Sequence, residues 1–254
     1  MTMNPKIDRD QFVTLSGISY IEFFKAISNF CQPTSYFEIG TETGKSTAQF
    51  NCATICVDPF FKVSEDIVSN KPELHQFQMT SDAFFRKQHL SSIFPAGPDV
   101  LFLDGMHWCE FLFRDFINAE RHCHSRSMVI LHDCMPQNKR MAKRTHEIGD
   151  ETESDATRYA WTGDVWKVVP ILQKYRPDLE ITLVDCPPSG LVIIQNLDSG
   201  SETLSKNYFD IVEEMRNMEF DASPFELLTG GIATLSSRKL LEHPENFTQH
   251  FSIW

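Results

Sequence analysis

This chain has little that is apolar over any length. No run reaches the roughly 18 residues that a membrane helix needs, so the sequence reads as one that does not span a membrane. Met1 to Asp8 lacks the basic start and apolar stretch of a secretory leader. Positive charge is also short. Against 35 Asp and Glu stand 23 Lys and Arg, a net charge of −12, which argues against a nucleic-acid backbone as the main partner. The seven cysteines are odd in number and form no C-x-x-C pair, so reduced thiols in a cytoplasmic compartment are expected. Cys109, His122, Cys123, His124, His132 and Cys134 look zinc-like only as a set, since their spacing is not that of a zinc finger. No G-x-S-x-G elbow occurs, which removes the common hydrolase reading. Internal repeats and low-complexity tracts are absent as well.

What remains is an ordinary globular composition, 41% hydrophobic and 23% charged over 254 residues, enough for one sizeable core. Residues 18–31 carry Ile18, Ile21, Phe24, Ile27 and Phe30 at helical spacing. Short apolar runs follow at 36–39, 53–57, 74–79, 99–103 and 127–131, with helical patterns between them, most clearly at 108–122. This alternation predicts an α/β fold, a doubly wound and mostly parallel sheet of seven strands. The runs 180–184 and 190–194 are linked only by Asp185 and Cys186 to Ser189, so they must pair antiparallel and close the sheet as a C-terminal hairpin. The expected organisation is a helical segment over 1–34, the α/β domain over 35–196 and a helical to irregular extension over 197–254. A polar excursion at 135–164 is either a solvated loop or a lid over the site. The extension's Phe220, Phe225, Phe247, Phe251 and Trp254 could cap the domain, form a dimer surface or line a pocket.

The most informative segment is Phe37-Glu38-Ile39-Gly40-Thr41-Glu42-Thr43-Gly44-Lys45-Ser46-Thr47. It reads as a strand end, a glycine-punctuated turn and a helix start, the α/β device for bringing backbone N–H groups to a ligand. A P-loop, G-x-x-x-x-G-K-[ST], needs one more residue between Gly40 and Gly44. The alternative puts weight on Glu38, in the pattern E-x-G-x-x-x-G. Gly40 would admit close approach of a ligand, and Gly44 close packing at a helix start. Lys45 is then a solvated residue of a first helical turn.

Ligands of open α/β sheets bind beyond the carboxyl ends of the strands, so strand-end residues carry the next clues. Asp58 ends the second strand, placed to take both hydroxyls of a ribose or simply to cap its own turn. Asp82 follows the third strand, as an acceptor for an adenine amino group or as part of a helix N-cap. Asp104 ends the fourth strand, within Asp104-Gly105-Met106-His107, and His132-Asp133 ends the fifth. The acid after an apolar strand also fits a Walker B site. Adjacent fourth and fifth strands can bring Asp104, His132 and Asp133 together around a divalent cation. His132 and Asp133 can both contribute only if the chain turns there, because neighbouring strand residues face opposite ways. His107 is the candidate general base.

The E-x-G-x-x-x-G pattern resembles the first motif of class I S-adenosylmethionine methyltransferases, with Glu42 at the usual middle glycine. Asp104-Gly105-Met106-His107, Glu110 and Asp115, followed by Val129-Ile130-Leu131-His132-Asp133, resemble the D-G-x-H…E…D and h-h-H-D signatures of a small-molecule methyltransferase family. That family is distantly similar to metal-dependent catechol and macrolide-sugar O-methyltransferases. Gly163-Asp164-Val165-Trp166-Lys167 is similar to its G-V-W helix. The likeness spans residues 35–195. It implies S-adenosylmethionine held by Glu38, Gly40, Thr41, Gly44, Asp58, Asp82 and Asp104, with Asp104 and His107 catalytic. It further implies a small-molecule acceptor, a possible homo-oligomer, and a cation such as Mg²⁺ or Mn²⁺ on Asp104, His132 and Asp133. A P-loop nucleotide hydrolase or kinase, and a methyltransferase-like binding protein without catalysis, are the two rival expectations.

Overall fold

The computed structural model describes residues 15–88, 90–151, 158–219, 231–242 and 244–251. Helix α1 (Tyr20–Cys31) opens with a capping box. Ser19 Oγ accepts from the Glu22 N–H, and the Glu22 carboxylate accepts in return from the Ser19 N–H. That reciprocal pair satisfies two donors that a helix start leaves unpaired. Its buried face is Phe23, Phe24, Ala26, Ile27 and Cys31.

Strands β1 (Ser35–Ile39), β2 (Ala53–Val57), β3 (Leu74–Phe77), β4 (Val100–Leu103) and β5 (Met128–His132) are mutually parallel, and β6 (Glu180–Val184) and β7 (Leu191–Gln195) form the antiparallel hairpin. β7 runs antiparallel beside β5, and the sheet order is β3-β2-β1-β4-β5-β7-β6-β8. The eighth strand is an addition to the expected seven. β8 (Thr234–Leu235) has two residues and pairs parallel to β6, too short to show any periodicity in sequence.

Alternation along the strands divides two cores. Phe37, Ile39, Leu101, Leu103, Val129, Leu131, Val192 and Ile194 face one side. There they meet α2 (Ser81–Lys87), α3 (Leu90–Ile93), α4 (Cys109–Glu120), α5 (Val168–Tyr175), α6 (Thr203–Lys206) and α7 (Tyr208–Asn217). Tyr36, Val100, Phe102, Met128, Ile130, Leu191 and Ile193 face the other side. This second face is covered by α1, α8 (Ser237–Glu242) and α9 (Pro244–His250). Phe247 and Phe251 lie fully buried against Phe23, with ring centroids 5.3 and 6.3 Å away. These two aromatics of the C-terminal extension therefore cap the sheet, and burying each stabilises by roughly 2 kcal/mol. Phe220, Phe225 and Trp254 fall outside the described residues.

The helix expected after Gly44 does not form. The β1–β2 connection holds only a 3₁₀ turn, Thr47–Gln49. Phe50 and Cys52 return the chain to the sheet at once, with Phe50 stacked on Tyr36 at 4.0 Å. The Lys71 ammonium closes the turn by donating to the Thr47 and Phe50 carbonyls. α1 and α9 occupy the face that a crossover helix would otherwise cover.

The candidate active site

The carboxyl ends of β1, β2, β4 and β5 open into a cavity of about 610 Å³, a size usual for small-molecule sites. Gly40 forms its floor with φ +90°, a conformation that L side chains rarely adopt. A Cβ there would lie 1.8 Å from the Asp104 carbonyl oxygen. The loop beyond it is held from inside. Glu38 is fully buried below the cavity and accepts from the hydroxyls of Ser46, Thr47 and Thr41. Burial raises its pKa to about 7, against the lowering effect of those hydroxyls. Glu38 and Thr41 thus support the loop rather than line the cavity. Glu42, at the usual middle glycine, takes a left-handed φ of +43°, and Gly44 packs against Ile67.

Asp58 lies on the cavity wall and ties two turns together. Its Oδ2 accepts from the Glu42 N–H (2.8 Å) and its Oδ1 from the Phe60 N–H (2.6 Å). Each oxygen keeps a second lone pair for a ligand hydroxyl. Asp82 also lines the wall, bound by the Arg114 guanidinium through Nε (3.1 Å) and Nη2 (2.8 Å). The cap of α2 is Thr80, whose hydroxyl accepts from the Ala83 N–H, and not Ser81 or Asp82. Phe60, Met106 and Phe111 form an apolar rim that the sequence did not disclose. The one available signal was an aromatic two residues after a strand-end acid.

Across the cavity, Asp104, His107, His132 and Asp133 form a closed ring. His107 Nε2 lies 3.0 Å from Asp133 Oδ2 and 3.6 Å from Asp104 Oδ1. His132 Nδ1 lies 3.2 Å from Asp104 Oδ2 and 3.5 Å from Asp133 Oδ1. The turn required by the sequence is present, because Asp133 has φ +60° and swings its side chain to the side of His132. Burial opposes charge on both imidazoles, yet Asp133 and Asp104 raise His107 to about 11 and His132 to about 10. Burial works against the Asp133 carboxylate too, and His132 and His107 hold its pKa well below the ordinary value. The Tyr20 ring covers His132 at 4.5 Å.

Two partners of this ring were invisible in the sequence. His107 Nδ1 lies 3.0 Å from the Trp161 carbonyl, and Ser189 Oγ lies 3.3 Å from His132 Nε2. Trp161 belongs to the 135–164 excursion, which packs beside the site. Arg144 binds Glu110 and Asp164 and sits over the Trp108 ring at 4.6 Å. Asp164 in turn accepts from the Cys109 N–H at the start of α4. Among the described residues, none of the excursion lines the cavity, and residues 152–157 lie outside the description.

Residues 37–134 match the family model described as a methyltransferase domain. Over that stretch the chain is similar to methyltransferase domains. Its fold is similar to that of the O-methyltransferase TomG from Streptomyces achromogenes, involved in tomaymycin synthesis and solved with SAM. The two share 15% identity and a TM-score of 0.50, over 70% of this chain and 80% of that one. It is also similar to the SAH-bound methyltransferase PaMTH1 of Podospora anserina, at 11% identity and a TM-score of 0.48, over 70% of this chain and 78% of that one. No curated protein matches the chain by sequence. The P-loop expectation fails on the site itself. Lys45 is exposed and away from the cavity, whose wall carries Glu42, Asp58, Asp82, Asp104 and Asp133. Those carboxylates would repel a triphosphate.

Proposed function

We propose that the domain moves a methyl group from S-adenosylmethionine to a hydroxyl of a small molecule, with the help of a divalent cation. The observation that carries this reading is one cavity with two unlike walls. On one, Gly40 and Asp58 make a cradle of the kind that takes a nucleoside. On the other, two carboxylates and two imidazoles converge. Asp58 takes the ribose hydroxyls, and Asp82 stands near the adenine. A sulfonium carries positive charge, which suits a wall of carboxylates.

Asp104 and Asp133 with His132 suit a cation that accepts mixed nitrogen and oxygen ligands, Mn²⁺ at least as well as Mg²⁺. When bound, such a cation lowers the pKa of a hydroxyl that it touches. This chain's residues then hold the acceptor oxygen in line with the methyl group. The new C–O bond forms as the S–CH₃ pair returns to sulfur, and the hydroxyl proton leaves to water at the cavity mouth. Seven free cysteines, all buried, support a reducing cytoplasmic setting. Among the described residues no helix is long and apolar enough to cross a membrane.

Calorimetry with S-adenosylhomocysteine tests the first part, and binding of ATP in its place would overturn it. A panel of phenols and sugar hydroxyls, read by release of S-adenosylhomocysteine, tests the second. Chelation should abolish turnover and leave cofactor binding within about twofold. Full turnover in chelator removes the cation.

A further inference from the structure

His107 and His132 flank the same two carboxylates, but their outer nitrogens meet different partners. A carbonyl oxygen only accepts, so the Trp161 carbonyl, 3.0 Å from Nδ1, requires the His107 hydrogen to be on Nδ1. In the neutral imidazole the Nε2 lone pair then points between Asp104 and Asp133. A lone pair facing two carboxylates is repulsive unless something positive lies among them. Histidines that bind metals characteristically donate their other ring N–H to a carbonyl or carboxylate, which fixes the tautomer and the ring plane. His132 has the weaker arrangement, because the Ser189 hydroxyl beyond its Nε2 can donate or accept.

Distances agree with this contrast. Ligands about 2.1 Å from a cation lie about 3.0 Å apart when adjacent in an octahedron and about 4.2 Å apart when opposite. His107 Nε2 sits 3.0 and 3.6 Å from its two carboxylate oxygens, and one ligand atom from each of Asp104, His107 and Asp133 falls within 4.8 Å of the others. A second observation points into the same space. His132 Nδ1 is buried and faces both carboxylates, yet makes no aligned hydrogen bond. We infer that His107 is a ligand of the cation through Nε2, not the base of the reaction, and that the Trp161 carbonyl is the positioning group that aims it. The 135–164 excursion thereby completes the cation site from behind, without entering the cavity. This rests on the cation reading above.

The test is Mn²⁺ binding to the full chain without acceptor, followed by the paramagnetic signal of free Mn²⁺. His107→Gln should weaken binding tenfold or more while S-adenosylhomocysteine affinity and the melting temperature hold. With ¹⁵N-histidine protein and Zn²⁺, one imidazole should keep its Nδ1 proton while its Nε2 resonance shifts on binding, and that signal should vanish in His107→Gln. Unchanged Mn²⁺ affinity in His107→Gln, with loss in Asp133→Asn, overturns the ligand role and leaves the cation reading standing. No Mn²⁺ or Zn²⁺ binding by the unaltered chain overturns both, and leaves an imidazolium–carboxylate ring. If His107→Gln fails to fold, the Zn²⁺ shift in the unaltered protein decides: movement of an Nδ1 resonance with none at Nε2 sinks the proposal.

Discussion

The two walls of the cavity use acids in opposite ways. On the β1–β2 side, Glu38 and Asp58 are surrounded by neutral donors, three hydroxyls for one and two backbone N–H groups for the other. Those contacts build the loop itself, so this wall is shaped before a ligand arrives. On the β4–β5 side, Asp104 and Asp133 take their side-chain contacts from imidazoles, and two of the four contacts cross between the strand ends, His107 to Asp133 and His132 to Asp104. Neutral donors around a buried acid produce rigidity. Mutually facing titratable groups produce a place where a cation or a proton decides the arrangement.

The largest break in the comparison should come from the rigid wall. Gly40→Ala puts a Cβ 1.8 Å from the Asp104 carbonyl at φ +90°. It should abolish S-adenosylhomocysteine binding in calorimetry, a loss of at least about a hundredfold, whereas Gly44→Ala, at a similar φ of +83°, meets a movable Ile67 methyl at 2.6 Å in place of backbone and should lose less. Equal effects would mean that Gly40 is no tighter a point than Gly44.

Asp58→Ala comes next. It leaves the Glu42 and Phe60 N–H groups without their acceptor and removes the proposed ribose contact, a loss of about 1.5–3 kcal/mol. Affinity for S-adenosylhomocysteine should fall roughly tenfold or more. Unchanged affinity would remove Asp58 from the cofactor.

Smallest is the pH effect of Glu38. Burial lifts its carboxyl from 4.5 to about 7 in the folded chain. A raised folded value means stability that is complete below about pH 4.5 and lost as pH climbs through about 7, at no more than about 1.4 kcal/mol per unit. Asp115, also raised to about 7 by burial, adds a loss of the same sign. Denaturation across this window should show Glu38→Gln falling less steeply than the unaltered protein. Parallel curves would show that Glu38 keeps an ordinary carboxyl.

Much of this was legible in the chain. Strand ends are where short apolar runs meet polar residues, so Asp58, Asp104, His132 and Asp133 could be placed before any coordinates, and so could the need for a turn at Asp133. What stayed hidden depends on backbone atoms or on distant sequence. A carbonyl has no residue signature, so Trp161 could not be matched to His107 across 54 positions. Ser189 reaches His132 only because β7 lies beside β5. The missing helix after Gly44 was obscured because the glycine motif is the same whether a helix or a 3₁₀ turn follows it. Two-residue β8 lacks the length for any pattern.

Helix α9 has a consequence for how the molecule is made. A chain emerging from the ribosome presents α1 and the first strands long before residues 244–251, yet Phe23 packs on Phe247 and Phe251. The side of α1 that carries Phe23 therefore stays open to solvent until synthesis has passed Phe251. During that interval the nascent protein exposes the apolar patch around Phe23 and Phe30, a natural docking place for chaperones, and early release from the ribosome would favour clumping over maturation.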